Sequence, residues 1–198
     1  MNDIITFMKQ STQKILYGTV TIASVIGFIA SFLQMIEKVE LLKNPHAVLT
    51  CNINAIFSCT NILNAWQSSV FGFPNSLMCI AFFAMTMALG LVGWTGGSMN
   101  KKLRLTFQGF ALFFIGFGFW YLWQSIFIVG ALCIFCIFCY AAVLTISGAW
   151  LRLNSNETCL NKKHQKCLNN MIAKNFDILI WVVIAIVIIA EMLIKFAN

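Results

Sequence analysis

Four long runs without a charged residue, and a fifth carrying only one, constrain this chain more than any other feature. Ile15 to Met35 is 21 residues long, enough at about 1.5 Å per residue to cross the roughly 30 Å hydrocarbon core of a bilayer. Pro74 to Trp94 equals it, and Pro74 suits the opening of a helix because no amide partner is needed there. Leu105 to Trp123 and Ile126 to Trp150 follow, with only Gln124 and Ser125 between them, which predicts a tight antiparallel hairpin. The fifth run, Ile178 to Ile194, includes Glu191 near its end. An open sheet in lipid would leave backbone groups unsatisfied, so the runs read as helices. Only 10% of the residues are charged, against about 25% in soluble domains. A cytosolic enzyme, a disordered tail and a compact secreted scaffold are thereby excluded.

The expected architecture is all-α: an integral membrane four-helix bundle with an extracytoplasmic capping loop and short helix, and an added fifth transmembrane helix. Residues 1–198 read as a single membrane domain, with the core at 15–150 and a basic cytoplasmic loop plus fifth helix at 151–198. The first run exceeds the 7–15 residues of a signal-peptide core and no cleavage pattern follows it, so it reads as an uncleaved anchor. With the N-terminus inside and the spans alternating, ten Lys and Arg fall on the inner side. Only Lys38, Lys43 and Lys195 fall outside. Basic residues favour the cytoplasmic side, so the net charge of +7 reflects topology. No pattern points to nucleic acid.

That orientation sorts the cysteines. Cys51 and Cys59 lie in the outer 36–73 loop, while Cys133 and Cys136 lie two to three turns into the fourth span near its outer end. Four thiols thus converge on the side where disulfides persist. Positions i and i+3 share a helical face, so Cys133 and Cys136 can approach each other. The plainer alternative is packing, since a free cysteine behaves as a small hydrophobe, and Cys139 continues the same row. Ile53 to Phe71 reads as a short amphipathic helix along the surface, with Ile56, Phe57, Ile62, Leu63 and Trp66 dipping into the interface. Cys51 and Cys59 could be a structural disulfide closing an eight-residue step. Beside a membrane C-x-x-C they have a sharper reading, because thiol–disulfide exchange passes electrons from one pair to the next.

These residues resemble the vitamin K epoxide reductase family, specifically its bacterial, disulfide-forming members. The likeness covers roughly residues 15–150: four spans, an outer loop with two cysteines, and C-x-x-C at the outer end of the fourth helix. The stretch CTNILNAWQSSVFGFPNSLMC, from Cys59 to Cys79, carries it most specifically, through the Phe71-Gly72-Phe73-Pro74 turn and Ser76-Leu77. The resemblance implies an electron relay. Cys51 would exchange with a separate secreted thioredoxin-like partner of the DsbA type, and Cys59 would pass electrons inward through a transient disulfide with Cys133. Cys136 would face a membrane quinone, ubiquinone or menaquinone, and close the Cys133–Cys136 disulfide as the quinone is reduced. Asn75 and Tyr140 match the family's quinone-pocket asparagine and tyrosine. Neutral donors of this kind suit a quinone's developing charge without placing an unpaired cation in lipid. The implied protein is a thiol:quinone oxidoreductase of the bacterial cytoplasmic membrane, multi-pass, with its redox site on the extracytoplasmic side.

The chain also departs from the pattern. Ala65 stands where many members have serine six residues after the second loop cysteine, with Ser68 and Ser69 nearby but out of register, and Cys79 replaces a usual glycine. Many bacterial relatives carry a fused thioredoxin domain after a fifth span; here the partner is expected to be a separate protein. Trp66, Phe71 and the phenylalanines of the third span are candidate pocket walls. Cys159, His164 and Cys167 in the basic loop lack a fourth ligand and match no closed zinc pattern, so no metal site is assigned. Cys79 and Cys139 read as packing residues. Two other readings stay open: quinone or quinone-epoxide reduction as the goal itself, and a Cys/Met metal-handling membrane protein. The scattered methionines form no repeated ligand motif to support the second.

Overall fold

The computed structural model describes residues 2–54 and 56–155, together with Leu179, residues 182–187, Ala190 and Ile194, with residues 2–9 described in backbone only. Between residues 2 and 155 the described helices are α1 (Asn2–Lys43), α2 (Cys59–Asn64), α3 (Asn75–Trp94), α4 (Lys101–Gln124) and α5 (Ile134–Asn154), and residues 182–187 are helical too. A 3-10 turn, Trp66–Ser69, lies between α2 and α3, and a π-helical turn, Ser125–Val129, continues α4. Four of these elements are long and apolar enough to cross a membrane, with mean hydropathy of 1.7 to 2.1 over their spans. The protein is an all-α membrane bundle. The expected fifth span, and Cys159, His164 and Cys167, lie outside the described residues apart from the helical positions just named.

Helix α1 packs chiefly against α3 and α5, and α4 packs against α5. Ser24 donates to Thr86 at 2.9 Å between two fully buried hydroxyls of α1 and α3. Gly90 of α3 lies so near α1 that a Cβ there would fall 2.9 Å from the Thr21 backbone nitrogen. Small residues at such crossings let helices meet where no hydrophobic drive distinguishes lipid from leucine. Trp150, with no exposed surface, meets Tyr17 edge-on at 6.1 Å. Outward-facing Ile22, Ile29, Phe32, Phe110 and Phe113 are exposed, as a lipid-facing surface requires.

The last span differs from its expected limits. The uninterrupted apolar run from Ile126 is broken at Gly130, whose φ of 71° is left-handed, and α5 begins only at Ile134 with Cys133 as its N-cap. Leu132 is drawn out to pair with the preceding loop. Its amide donates to the Ile56 carbonyl at 2.7 Å, and its carbonyl accepts from Ser58 N–H at 3.1 Å, forming an isolated parallel bridge between Phe57 and Leu132. The return after α4 therefore uses residues 130–133 rather than a hairpin at Gln124–Ser125. In the loop, Cys59–Asn64 and Trp66–Ser69 are the helical parts among the described residues of the expected 53–71 segment. Ile62 and Leu63 are buried in the protein, whereas Trp66 faces outward. This segment caps one end of the bundle.

Candidate active site

The Phe57–Leu132 bridge decides the geometry of the capped end, because each partner precedes a cysteine by one or two residues. Cys59 opens α2 and is disulfide-bonded to Cys51, with Cα atoms 5.7 Å apart. Its Sγ lies 3.6 Å from that of Cys133. Cys51, Cys59 and Cys133 are all buried in one apolar cluster with Leu49, Ile62 and Leu63. Three of the four expected redox sulfurs thus share one buried apolar compartment, and the fourth, Cys136, lies one turn along α5, half-buried.

The break before α5 changes what Cys133 can do. Instead of lying mid-helix, its sulfur sits at a helix N-terminus, where the first amides have no intrahelical acceptor. A hydrogen bond from the Cys136 thiol, reinforced by the backbone amides of Cys136 and Phe135, holds the Cys133 thiol below the ordinary cysteine range; burial and the Glu37 carboxylate oppose this. The lowered value favours the thiolate, the form that attacks a disulfide.

Cys136 opens onto a narrow cavity of about 60 Å³. Asn75 and Tyr140 line it too, so the two expected pocket residues and the inner thiol meet at one place. Phe114 and Phe117 of α4 form aromatic walls, while Trp66 and Phe71 stand outside the lining. Gly118 lets α4 approach Tyr140, whose ring would lie 2.4 Å from a Cβ at that position. The Tyr140 hydroxyl donates to the Ile115 carbonyl at 3.4 Å. Asn75 opens α3 and donates from Nδ2 to the Gln67 carbonyl at 2.6 Å, while its buried Oδ1 has no partner among the described residues. Cys79 and Cys139 also line the cavity, but Cys139 donates to the Gly27 carbonyl at 3.7 Å.

Two residues escaped the sequence reading. Gln34 of α1 lines the cavity and donates from Nε2 to Cys136 Sγ at 3.2 Å, and the Tyr121 phenol lies against the same sulfur. Gln34 is the only carboxamide in the first apolar run, which was the available signal. Further up α1, Glu37 accepts from the Thr50 hydroxyl and, at 3.2 Å, from its backbone amide. Lys38 donates to the Leu63 carbonyl and to Ser68 Oγ at 3.4 Å. Ser68 also donates to Leu63 O at 2.7 Å, so it carries the local bonding that Ala65 is unable to make. These contacts pin the capping segment to α1.

Apolar walls, neutral polar groups and an unpartnered buried carboxamide oxygen fit a flat, neutral ring with carbonyl and hydroxyl groups better than an ionic ligand. No charged side chain lines the cavity. Among the described residues, no three His, Cys, Asp or Glu side chains are grouped to hold a metal ion. No curated protein matches the chain. The sequence profile of the vitamin K epoxide reductase family matches residues 19–151, which contain all four sulfurs and both pocket residues. The chain belongs to the vitamin K epoxide reductase family, as a multi-pass membrane oxidoreductase of quinone-linked chemistry.

Proposed function

We propose that the protein reoxidises a separate thioredoxin-like, disulfide-forming protein and delivers the two electrons to a membrane quinone, ubiquinone or menaquinone. The observation that carries this reading is the 3.6 Å contact between Cys59 and Cys133, because it joins a disulfide at the capped end to a thiol pair at the cavity. A thiolate of the partner attacks Cys51, breaking the Cys51–Cys59 bond and leaving the electron pair on Cys59. The partner's second thiol closes its own disulfide and releases Cys51 as a thiol. Cys59 then attacks Cys133 of an oxidised Cys133–Cys136 pair, and the pair of electrons leaves on Cys136. Cys51 attacks Cys59 in turn, restoring the outer disulfide and leaving Cys133 and Cys136 reduced. Each exchange conserves one disulfide and moves two electrons inward.

A quinone supplies the final acceptor, taking two electrons and two protons. The chain's part is to present the dithiol of Cys133 and Cys136, which yields both as it closes to a disulfide. Asn75 and Tyr140 orient the ring through neutral polar groups, and Phe114 and Phe117 confine it. Cys51 is buried in the oxidised form, so access for the partner requires the 44–54 stretch to lift. The basic residues favour the capped end facing the extracytoplasmic side of a bacterial cytoplasmic membrane.

The test is anaerobic turnover by the purified protein with a reduced thioredoxin-like oxidase and a ubiquinone or menaquinone analogue. The expected result is about one quinone reduced per dithiol oxidised, with activity lost in Cys136→Ser. Absence of quinone reduction by folded protein with either analogue overturns the reading.

A further inference from the structure

We propose that Gln34 is a further catalytic residue: its side-chain amide holds the Cys136 sulfur and stabilises the negative charge that sulfur receives when it leaves Cys133. This inference rests on the relay reading for its place in the reaction, but not for its geometry. Gln34 Nε2 is 3.2 Å from Cys136 Sγ, and the side chain is buried in the cavity wall. A carboxamide placed at this depth costs free energy unless it is hydrogen-bonded, and here one of its bonds goes to a reacting atom.

The same helix treats two neighbouring thiols in opposite ways. Gln34 offers Cys136 a donor, which favours the thiolate. One helical turn further along α5, the Gly27 carbonyl offers Cys139 an acceptor, which favours the thiol. Both cysteines line one cavity, so burial alone does not distinguish the electron carrier from the bystander. Helix α1 does, through the polarity of a single contact to each.

In the exchange step, Cys59 supplies an electron pair to Cys133 Sγ, the Cys133–Cys136 bond breaks, and the pair leaves on Cys136 Sγ. No proton is needed at that moment if a preorganised donor faces the leaving atom. Gln34 and the Tyr121 phenol meet Cys136 from α1 and α4. Both are neutral, so they stabilise a transient anion without fixing a cation in the apolar cavity.

The experiment uses the reduced full-length chain in lipid nanodiscs, without quinone or partner. N-ethylmaleimide labelling of Cys136 and Cys79 is followed by peptide mass spectrometry across pH. Cys79 shares the cavity and serves as internal reference. In Gln34→Met, which keeps the length and removes the donor, Cys136 alkylation at pH 8 slows about tenfold while Cys79 is unchanged. Gln34→Glu, which keeps the shape and exchanges donor for acceptor, slows Cys136 at least as much. Equal labelling of Cys136 in all three proteins overturns the proposal. So does a parallel change at Cys136 and Cys79, which would make Gln34 only a shaper of the cavity. Because no quinone is present, failure of wild-type turnover would break the relay reading without bearing on this result.

Discussion

The two cysteine pairs are built on different supports. Cys51 and Cys59 join a loop to a one-and-a-half-turn helix, held by a few polar bonds and the short Phe57–Leu132 bridge. Cys133 and Cys136 begin a 21-residue helix packed against α1 and α4. A relay needs one pair that can turn between partners and one that stays registered on its acceptor. The loop pair has the lower local stability that such movement requires, while the helical pair inherits the rigidity of the bundle. On the proposed relay, their difference is a division of labour between a carrier and a fixed terminal.

The sharpest way to break that comparison is to test whether the fixed terminal is special among the cavity's thiols. Cys133→Ser and Cys136→Ser should reduce dithiol-to-quinone turnover to background, whereas Cys79→Ala and Cys139→Ala should retain most of it. Anaerobic quinone absorbance distinguishes the sets. Comparable loss in all four would mean that the cavity, rather than the Cys133–Cys136 pair, had been damaged.

Next in size is a trapped intermediate. Cys51→Ser removes the thiol that releases Cys59 from Cys133, so a Cys59–Cys133 disulfide should become the dominant species once quinone has oxidised the inner pair. Disulfide mapping by mass spectrometry under acid quench reads it directly. The variant should still serve a small dithiol and fail with the protein partner. Equal turnover with both substrates would sink the carrier role of Cys51.

Much of this was legible before any coordinates. Runs of about 20 apolar residues announce helices because lipid leaves the backbone no other partner, and the apolar residues of Ile53 to Phe71 announced a capping segment. The break before α5 was not legible. Ile126 to Trp150 carries no charge, and its two glycines, Gly130 and Gly148, look alike in the sequence although only the first stops a helix. What draws Leu132 out is a partner 75 residues earlier, Phe57, and no local periodicity reports so distant a contact. That missed break carries chemistry, since it places Cys133 at an N-cap. Gln34 was hidden for a similar reason, because its value lies in which sulfur it meets across the bundle.

The pH behaviour of the fixed pair sharpens the comparison further. Cys133 is held below the ordinary thiol range chiefly by the Cys136 hydrogen bond. A lowered thiol is thiolate above its shifted value, so its attack on Cys59 of the Cys51–Cys59 disulfide, the reverse of the relay step, is available there and is lost as pH falls through it. In Cys136→Ser a hydroxyl can still donate; in Cys136→Ala it is gone. Neither variant can close the inner disulfide, so both should accumulate Cys59–Cys133. Half-maximal crosslinking should occur at a higher pH in Cys136→Ala. Coincident midpoints would remove Cys136 as the source of the shift.

The smallest effect concerns the mobility of the carrier. Asn52 donates to Thr60 Oγ1 at 2.7 Å and accepts from the Thr60 amide at 3.2 Å, so it clasps the chain on either side of the Cys51–Cys59 disulfide. Both groups are exposed, so each bond contributes only about 0.5–1.5 kcal/mol net. On the proposed reading the partner reacts only with a lifted loop, since Cys51 is buried, and loosening the clasp should raise the population of that state. Asn52→Ala should therefore accelerate single-turnover reaction with a reduced thioredoxin-like protein by a few-fold. Quinone reduction by a prereduced inner pair should be unchanged, since that step does not require the loop to open. A slower reaction with the partner would show instead that the clasp presents Cys51 correctly, and that the carrier works as a rigid docking surface rather than a lifting one.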